Sequence, residues 1–254
     1  MQPTWQPLAE QAVRLWRGAE HVFALTGAGI SVPSGIPDFR SPGGLWAKFN
    51  PDRVATAQAL HSRPREVWEF LLACLPLLDR ARPNAAHVAL AELEKSGRLD
   101  GVVTQNIDNL HQEAGSTRVV EFHGSARRFY CQGCGKEYPV EQALRLTTRD
   151  IPWRCAACGQ IVRPDIVFFG EAIPAQALDA SRELAGKADL VLIVGTSGTV
   201  APASMIPAGV KSRGGRVLEI NLEDSACVAL PDVRIQAPAE DVLPYLCARI
   251  LAEP

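Results

Sequence analysis

The 254-residue sequence predicts an α/β fold built on a doubly wound, mostly parallel sheet. Short apolar runs that stop at glycine or polar residues are typical of buried parallel strands. Segments with helical periodicity lie between these runs, as in a chain that crosses from strand to strand. With 47% hydrophobic and 21% charged residues, the chain can bury one large core and still carry an insertion.

Six apolar runs are the predicted strands: residues 22–26, 101–104, 119–122, 166–169, 190–194 and 217–220. A helix is predicted over 84–94, where Asn84 can cap the first turn, and another over 174–185. Because these strands alternate with helices, we expect ligands to bind at the carboxyl ends of the strands.

Two segments interrupt this alternation. Residues 46–82 carry a predicted helix over 65–75, and residues 129–162 carry two cysteine pairs. We therefore expect a large sheet domain made of residues 1–45, 83–128 and 163–254. The helical insert (46–82) and the cysteine insert (129–162) together are expected to form a smaller domain beside the sheet.

Charge and hydropathy disfavour several classes of partner. The formal net charge is -2 and the pI is near 6.2, with no basic run, so a nucleic-acid partner is disfavoured. No stretch approaches the ~20 continuous apolar residues that a membrane span needs. The seven cysteines are an odd number and four of them form pairs suited to a metal, so we expect a reducing, cytoplasmic compartment.

Two C-x-x-C pairs, separated by twenty residues, consist of Cys131, Cys134, Cys155 and Cys158. Glycines beside them permit the tight turns that let paired thiolates face one ion. This pattern predicts a closed tetrahedral Zn²⁺ site, and two redox-active pairs are the alternative. Four thiolates leave no open position for a water nucleophile, so the zinc is expected to be structural.

The first strand runs directly into Gly27, Ala28, Gly29, Ile30 and Ser31. Glycines at this point let backbone amides approach a pyrophosphate, although an ordinary turn is the alternative. A dehydrogenase fingerprint needs a third glycine, where this chain has valine, and an acid about twenty residues after the first glycine. The acid nearest that spacing follows a proline in a predicted loop, so hydride transfer is disfavoured.

The same loop continues through Asp38, Phe39 and Arg40, which place an acid, an aromatic ring and a cation between hinge residues. Such a loop could close on a ligand, with Arg40 facing phosphate and Phe39 shielding a reactive centre from water. A plain surface loop is the alternative.

Polar side chains follow the later strands. Gln105, Asn106 and Asp108 come after 101–104 and could hold ribose hydroxyls or a carboxamide, with helix capping as the alternative. His123 follows 119–122, and an imidazole there could accept a proton from a sugar hydroxyl unless its role is structural. Two more groups could receive an adenosine ribose and base, or form ordinary turns: Gly195, Thr196, Ser197, Asn221, Leu222 and Glu223.

In this order the motifs resemble the sirtuin family of NAD-dependent protein deacylases, of the bacterial type. The resemblance covers nearly the whole chain and rests on several motifs in fixed order: residues 27–31, 35–40, 104–111, 123–124, both cysteine pairs, 163–171, 195–197 and 221–223. It implies a Rossmann-type domain with a smaller zinc-binding plus helical domain, and NAD bound in the cleft. It also implies an acyl-lysine protein or peptide as partner, bound opposite NAD, and we expect the chain to act as a monomer.

In the family, the acyl oxygen attacks C1′ of the nicotinamide ribose, nicotinamide leaves, and a histidine activates a ribose hydroxyl that captures the acyl carbon. The resemblance makes His123 the base and Asn106 and Asp108 its catalytic companions. It implies NAD contacts from Gly27, Ala28, Gly29, Ile30, Ser31, Asp38, Phe39, Arg40, Gln105, Asn106, Ile107, Asp108, Gly195, Thr196, Ser197, Asn221, Leu222, Glu223 and Ala239. It implies substrate contacts from Val167, Phe168, Gly170, Glu171 and Leu71, with the substrate backbone added as a strand between 167–171 and the loop after Ser197.

Sirtuins that remove succinyl or malonyl groups carry a Tyr-x-x-Arg pair in the helical insert, where this chain has Leu71 and Cys74. A buried carboxylate without a cation is costly. We therefore expect neutral acyl groups, acetyl first and longer aliphatic chains beside Leu71 and Leu72. The alternatives are an NAD-dependent ADP-ribosyltransferase and a non-catalytic NAD-binding module.

Overall fold

The computed structural model describes residues 3–39, 41–227 and 229–252. In chain order, the strands of this part are Val22–Thr26 (β1), Gly101–Thr104 (β2), Val119–Glu121 (β3), Gly124–Cys131 (β4), Glu137–Pro139 (β5), Val162–Ile166 (β6), Leu190–Val194 (β7), Arg216–Asn221 (β8) and Val233–Gln236 (β9). The α-helices are Gln6–Arg17 (α1), Pro51–Val54 (α2), Ala57–Ser62 (α3), Pro64–Arg80 (α4), Ala85–Lys95 (α5), Leu110–Glu113 (α6), Val140–Leu144 (α7), Ala175–Lys187 (α8), Ile206–Ser212 (α9) and Ala239–Leu251 (α10). Three short 3-10 helices are Ala28–Ser34, Leu45–Ala47 and Ala203–Met205.

The larger sheet has six parallel strands in the order β3-β2-β1-β7-β8-β9. From β1 the chain builds outward through β2 and β3, then returns to the middle and builds the other half from β7. The strand order therefore reverses between β1 and β7. Sheets of this kind open a ligand crevice at that point, outside the carboxyl ends of the strands.

Helices cover both faces of this sheet, as the doubly wound prediction requires. Val22 and Ala24 of β1 point into a core shared with α1, α5 and α10, whereas Phe23 and Leu25 point into a core shared with α8 and α9. Every residue of β1 is buried, because a central strand with helices on both faces has no solvent side. The α/β fold class is confirmed.

The predicted helix over 84–94 is confirmed as α5, and its start follows from local chemistry. The Asn84 side chain accepts a hydrogen bond from the backbone nitrogen of Ala86 at 2.9 Å. The His87 ring nitrogen Nδ1 accepts in return from the backbone nitrogen of Asn84 at 3.4 Å. This reciprocal capping box satisfies backbone donors that the first helical turn leaves free.

The smaller sheet is antiparallel, with strand order β5-β4-β6. The prediction of a buried parallel strand over 166–169 is wrong, because the strand is β6, ends at Ile166 and runs antiparallel to β4. A short apolar run does not reveal the direction of its neighbour. Pro164, which lacks a backbone donor, also suits an edge strand such as β6 better than a central one.

The two inserts share one hydrophobic core that is separate from the cores of the large sheet. Trp68 of α4 lies at its centre, with its ring 5.8 Å from that of Trp153 and 6.2 Å from that of Phe129. The indole nitrogen of Trp68 donates to the backbone oxygen of Val162 at 3.1 Å, so both of these buried polar groups have a partner. The predicted helix over 65–75 is the middle of α4.

Helices α1 and α10 and strand β9 lie outside the predicted elements. Prolines near both ends of the sequence led us to expect irregular chain ends there. Pro7, however, lies in the first turn of α1, where proline is tolerated. Both helices pack on the same face of the large sheet. Among the described residues, no helix is both long and apolar enough to cross a membrane.

Candidate active site and zinc centre

Two glycine loops meet where the carboxyl ends of β1 and β7 come together. The backbone nitrogen of Gly29 donates to the backbone oxygen of Gly195 at 2.7 Å. A Cβ atom on Gly29 would lie 2.8 Å from Gly195 Cα, and one on Gly27 would lie 2.7 Å from Thr196 Cβ. Neither position has room for a side chain, so the glycines let the two loops form the floor of the crevice.

The segment after Gly27 is a seven-residue 3-10 helix, Ala28–Ser34, and not an α-helix. Its residues Ile30 and Ser31 are buried. The backbone nitrogen of Gly29, in its first turn, lies at the crevice floor because it bonds the Gly195 oxygen. A 3-10 helix of this length brings no full α-helical dipole to the crevice.

A row of polar side chains, two buried and one half-buried, lies beside this segment. Asn106 Nδ2 donates to the backbone oxygen of Gly27 and to Ser31 Oγ, both at 3.1 Å. Ser31 Oγ in turn donates to Asp108 Oδ2 at 2.7 Å, and Asp108 Oδ1 accepts from the backbone nitrogen of Leu110. Burial raises the pKa of Asp108, against the hydrogen bonds that lower it. The structure thus brings Asn106, Ser31 and Asp108 together, and Asp108 also holds the start of α6.

Gln105 joins the end of β2 to the end of β7. Its side-chain nitrogen donates to Thr196 Oγ1 at 2.9 Å across the crevice floor. The next predicted contact residue, Ile107, uses its backbone oxygen to accept from the backbone nitrogen of Ala126 at 3.0 Å. The loop that begins at Gln105 is therefore fixed at both ends.

His123 follows β3 at the same edge of the sheet. Its Nδ1 lies 3.0 Å from the backbone oxygen of Gln105. Because a carbonyl oxygen only accepts, Nδ1 of the neutral ring carries the hydrogen and Nε2 keeps a free lone pair. Burial lowers the pKa of His123, and the bond to Gln105 partly opposes that shift. The ring is therefore neutral and able to accept a proton at Nε2.

Two buried threonines that the sequence analysis does not single out lie beneath these residues. Thr26 and Thr104 are the last residues of β1 and β2 and stand side by side in the sheet. Thr26 Oγ1 donates to Thr104 Oγ1 at 2.9 Å, and Thr104 Oγ1 accepts from the backbone nitrogen of Asn106 at 3.1 Å. His111 Nε2 lies 2.9 Å from Thr26 Oγ1. In the sequence, the signal for this pair was a threonine at the end of each of two apolar runs.

The loop after the 3-10 helix leans on the helical insert. Asp38 accepts from the backbone nitrogen of Ser41 at 2.9 Å, and the Phe39 ring lies 5.0 Å from that of Trp46. Phe39 is half-buried by this contact. Arg40, the predicted phosphate contact, lies outside the described residues.

The later predicted contacts follow β7 and β8. Asn221 Nδ2 donates to the backbone oxygen of Thr196 at 3.0 Å, which ties the two strand ends together. Ser197 accepts at its backbone oxygen from the Ala226 nitrogen, while Leu222 and Glu223 are exposed. Ala239 is the first residue of α10 and is half-buried.

The predicted substrate segment lies between the sheet and the helical insert. The backbone nitrogen of Val167 donates to the backbone oxygen of His123 at 2.9 Å. Phe169 uses its backbone nitrogen and oxygen to bind the insert, at Ala55 and Ala57. Gly170, at the exposed turn that follows, has φ +90°.

The side chains of three predicted substrate residues contact other parts of the protein. Phe168 and Leu71 are buried in the core of the two inserts. Glu171 forms a bidentate ion pair with the buried side chain of Arg163, and it also accepts from the backbone nitrogen of Phe168 at 2.9 Å. Arg163, which the sequence analysis assigns no separate role, therefore folds this segment through Glu171.

The four paired cysteines converge on one point in the cysteine insert. Their sulfur atoms all lie within 4.8 Å of one another, with 3.4 Å between Cys131 and Cys158 and 3.7 Å between Cys134 and Cys155. A tetrahedral Zn²⁺ with Zn–S bonds of about 2.3 Å needs sulfur atoms about 3.8 Å apart. The four residues fit a structural zinc, with every coordination position filled by a thiolate.

Comparison with known proteins agrees with this geometry. The model of the Sir2 family matches residues 27–202. An NAD-dependent protein deacylase of Pyrococcus furiosus is 47% identical over 230 residues, which cover 89% of this chain and 92% of the relative. An NAD-dependent protein deacylase of Thermococcus kodakarensis is 44% identical over 243 residues, which cover 94% of each chain. Both relatives are archaeal, so they lend no support to the bacterial subtype.

Solved structures are also similar to this chain. A mutant of a Sir2 homologue in complex with ADP-ribose superposes with a TM-score of 0.89 at 36% identity, covering 95% of this chain and 96% of that one. A Sir2 protein with a deacetylated p53 peptide and 3′-O-acetyl-ADP-ribose gives a TM-score of 0.87 at 35% identity, with 95% and 96% covered. The family model matches most of the chain, and relatives with more than 40% identity match it over almost their whole length. This chain therefore belongs to the Sir2 family, the sirtuins.

Proposed function

We propose that the chain is an NAD-dependent protein-lysine deacylase that prefers acetyl-lysine and yields nicotinamide, O-acyl-ADP-ribose and free lysine. The observation that carries the proposal is His123, held as a neutral base at the edge of the crevice that contains the Asn106, Ser31 and Asp108 row. The curated relatives are deacylases by name, and the similar solved structures contain ADP-ribose or its acetyl ester.

NAD is the consumed co-substrate in this proposal and lies at the switch point between β1 and β7. Its phosphates lie against Gly27 to Ser31, with Arg40 as a further phosphate contact and Asp38 and Phe39 in the loop that covers them. Its adenosine lies toward Gly195, Thr196, Ser197, Asn221, Leu222, Glu223 and Ala239. The tight packing of Gly29 on Gly195 supports this placement, because it leaves backbone and not side chains at the crevice floor.

The nicotinamide end lies toward Gln105, Asn106, Ile107 and Asp108. Asn106 spends both hydrogens of its amide nitrogen on Gly27 and Ser31, which leaves its Oδ1 to accept from the ligand. Asp108 orients the Ser31 hydroxyl that holds Asn106 in place. In this arrangement Asn106 binds the ligand, and Asp108 fixes the orientation of the site.

His123 removes the proton from a ribose hydroxyl once the bond between nicotinamide and ribose has broken. The acyl oxygen of the substrate lysine takes the place of nicotinamide at C1′, and the activated hydroxyl then attacks the acyl carbon. The lone pair on Nε2 is available because Nδ1 donates to Gln105. Partial burial keeps water from competing for that proton.

The acyl-lysine protein or peptide binds by adding a strand beside residues 167–171. Among the described residues, no partner is found for the backbone oxygen of Val167 or the backbone nitrogen of Gly170. Phe169 between them is occupied by its bonds to the helical insert. Phe168 and Glu171 support this strand from behind, so binding through main-chain groups tolerates many substrate sequences.

The acyl group lies toward α4, beside Leu71. Between its first turn and Arg80 at its last residue, α4 has no cation, and its buried residues are apolar. A succinyl or malonyl carboxylate would lose its hydration there without gaining an ionic partner. Acetyl and longer aliphatic groups are therefore the proposed substrates.

The proposal divides the chain into a large domain of residues 1–45, 83–128 and 163–254 and a small domain of residues 46–82 and 129–162. The shared core of the two inserts supports that division. One structural zinc per chain ties the cysteine insert together. We propose that the chain acts as a monomer, in a reducing compartment such as the cytoplasm that keeps the thiolates free to bind zinc.

Mass spectrometry of a reaction with NAD and an acetyl-lysine peptide tests the function. We expect nicotinamide, O-acetyl-ADP-ribose and deacetylated peptide in equal amounts, and a loss of about 100-fold or more in kcat for His123→Ala, the size of a general-base contribution. Nicotinamide with ADP-ribosylated protein but no O-acetyl-ADP-ribose would instead identify an ADP-ribosyltransferase. NAD binding without nicotinamide release from any acylated peptide would identify a binding module.

A further inference from the structure

Glu219 is a fully buried carboxylate that lies one strand away from the proposed NAD crevice. It belongs to β8, two residues before the strand ends at Asn221. Its side chain is 1% exposed. A buried carboxylate persists only where charged or polar groups replace its lost hydration.

Three groups surround this carboxylate. Arg234 stands directly opposite on β9 and donates through Nε to Glu219 Oε2 at 3.2 Å. Asn221 Nδ2 donates to Glu219 Oε1 at 2.8 Å, and the backbone nitrogen of Ser225 donates to the same oxygen at 3.2 Å. Arg234 also reaches Asp224 through Nη1 at 2.7 Å. Glu219 and Arg234 together hold the loop that follows β8.

The orientation of the Asn221 amide follows from these contacts. Its nitrogen Nδ2 faces Glu219 Oε1 and the backbone oxygen of Thr196, and both of these atoms only accept. An amide oxygen placed there would meet two acceptors, so the nitrogen must occupy this position. Both hydrogens of Asn221 are therefore used inside the protein.

The amide oxygen of Asn221 is left free. No donor contacts Oδ1 among the described residues, and Oδ1 is not among the buried polar atoms that lack a partner. It is therefore open to solvent at the carboxyl end of β8, beside the crevice. Asn221 offers a ligand one acceptor and no donor.

We propose that Glu219 is a positioning residue that turns Asn221 into an acceptor for an adenosine ribose hydroxyl and so selects NAD over its 2′-phosphorylated form. This inference rests on the proposed placement of NAD in the crevice. A ribose hydroxyl donates to Asn221 Oδ1. A 2′-phosphate has no hydrogen to give at neutral pH and would meet the amide oxygen with the Glu219 charge behind it.

The charge of Arg234 does not relieve this repulsion. Dinucleotide sites that accept the 2′-phosphate use an arginine beside the ribose. Arg234 is bound by Glu219 on one side and Asp224 on the other, so its charge is already balanced. Glu219→Gln removes the negative charge behind Asn221. The glutamine nitrogen must then face a donor, either Arg234 Nε or the nitrogens of Asn221 and Ser225, so the Asn221 amide is held less firmly.

Calorimetric titration with ADP-ribose and with 2′-phospho-ADP-ribose tests the inference on the zinc-loaded, full-length protein. We expect the wild type to bind ADP-ribose at least about 100-fold more tightly, a discrimination typical of buried polar contacts. For Glu219→Gln we expect affinity for ADP-ribose to fall about tenfold, the value of one charge-assisted hydrogen bond, and the preference to narrow by a similar factor. In steady-state assays the KM for NAD should rise while kcat and the KM for peptide stay unchanged.

Asp232→Asn is the matched control. Asp232 also accepts from a backbone nitrogen of β8, that of Val217 at 2.8 Å, and pairs with Lys211 and Arg216. Asp232 contacts the amino end of β8, opposite the crevice. Its replacement should therefore leave the affinities for ADP-ribose and 2′-phospho-ADP-ribose unchanged.

The outcomes separate the inference from the proposed function. If the wild type binds neither ligand, the NAD site itself is misplaced. If the wild type binds ADP-ribose and 2′-phospho-ADP-ribose equally well, or if Glu219→Gln retains the full preference, the role of Glu219 is overturned. Should Glu219→Gln fail to fold, equal affinity of the wild type for the two ligands would still overturn the inference.

Discussion

The ring nitrogen Nδ1 of His123 lies 3.0 Å from the backbone oxygen of Gln105. This bond joins His123, the residue just before β4, to the residue directly after β2. The candidate base and the loop of the candidate nicotinamide contacts are therefore positioned together. It also fixes the tautomer, since Nδ1 must carry the hydrogen and Nε2 must accept. The two residues therefore link substrate positioning to proton transfer.

Deacylation should retain its rate at mildly acidic pH. Burial lowers the pKa of His123, so the neutral ring that acts as base persists below the ordinary histidine value of about 6.5. As pH falls, kcat should decline only once the pH passes the lowered value. The check is a kcat profile from pH 5 to 8 at saturating NAD and peptide, and a midpoint above about 6.5 would contradict the assignment.

The acyl preference should follow charge. With acetyl-lysine and succinyl-lysine peptides of the same sequence, we expect kcat/KM to be at least about 100-fold higher for acetyl, because the succinyl carboxylate finds no cation in the middle of α4. Butyryl-lysine is the matched control, since it has the same chain length without the charge. Faster turnover of succinyl-lysine would show that a cation elsewhere reaches the acyl group.

Sequence reasoning succeeded where the signal is local. The capping of α5 by Asn84 and the spacing of the cysteine pairs each depend on a few neighbouring residues, and both predictions agree with the structure. It failed where the partner is distant in sequence. Nothing in the run 166–169 shows that β6 pairs antiparallel with β4, and the bond between Glu219 and Arg234 exists only through strand register. Local patterns cannot supply such pairings.

Removal of one zinc ligand should unfold the small domain selectively. Cys134 is exposed, so Cys134→Ser perturbs packing little but opens the tetrahedron. We expect zinc, measured by atomic emission, to fall from one per chain to nearly none, with an earlier unfolding step and lost activity. Cys247→Ser is the control, because burial raises the pKa of the Cys247 thiol to about 11 and it lies outside the cluster. Unchanged zinc in Cys134→Ser would refute the four-cysteine site.

The ion pair between Arg163 and Glu171 should determine peptide binding. Glu171→Gln leaves the buried Arg163 guanidinium without its counter-charge and weakens the fold of residues 167–171. We expect a loss of about 3 kcal/mol in the free energy of unfolding, as for broken buried ion pairs. The KM for peptide should rise several-fold with little change in the KM for NAD. Asp165→Asn is the control, because it breaks only the exposed pair with Arg128. It should change neither the free energy of unfolding nor the KM for peptide appreciably, since exposed pairs contribute about 0–1 kcal/mol.

The stability of the fold should fall steeply on acidification because two histidines are buried as neutral rings. His87 and His111 have ring centroids 4.8 Å apart, and burial lowers the pKa of His87 to about 4 and that of His111 well below its ordinary value. In the unfolded chain both titrate near 6.5. As pH falls through that value, the unfolded chain binds protons at these two histidines and the folded protein does not. Stability is therefore lost from about pH 6.5 downward, by roughly 3 kcal/mol for His87 alone once pH 4 is reached.

His87→Gln isolates this effect. Glutamine does not titrate, and its side-chain oxygen can accept from the backbone nitrogen of Asn84, so the capping box that begins α5 is kept. We expect denaturant unfolding to show a shallower loss of stability between pH 6.5 and 4.5 than in the wild type, with a small loss at pH 7.5 from poorer packing on His111. Val88→Ala, on the exposed side of the same helix, should leave the pH dependence as it is. An identical slope in His87→Gln and the wild type would mean that His87 takes up its proton in the folded state.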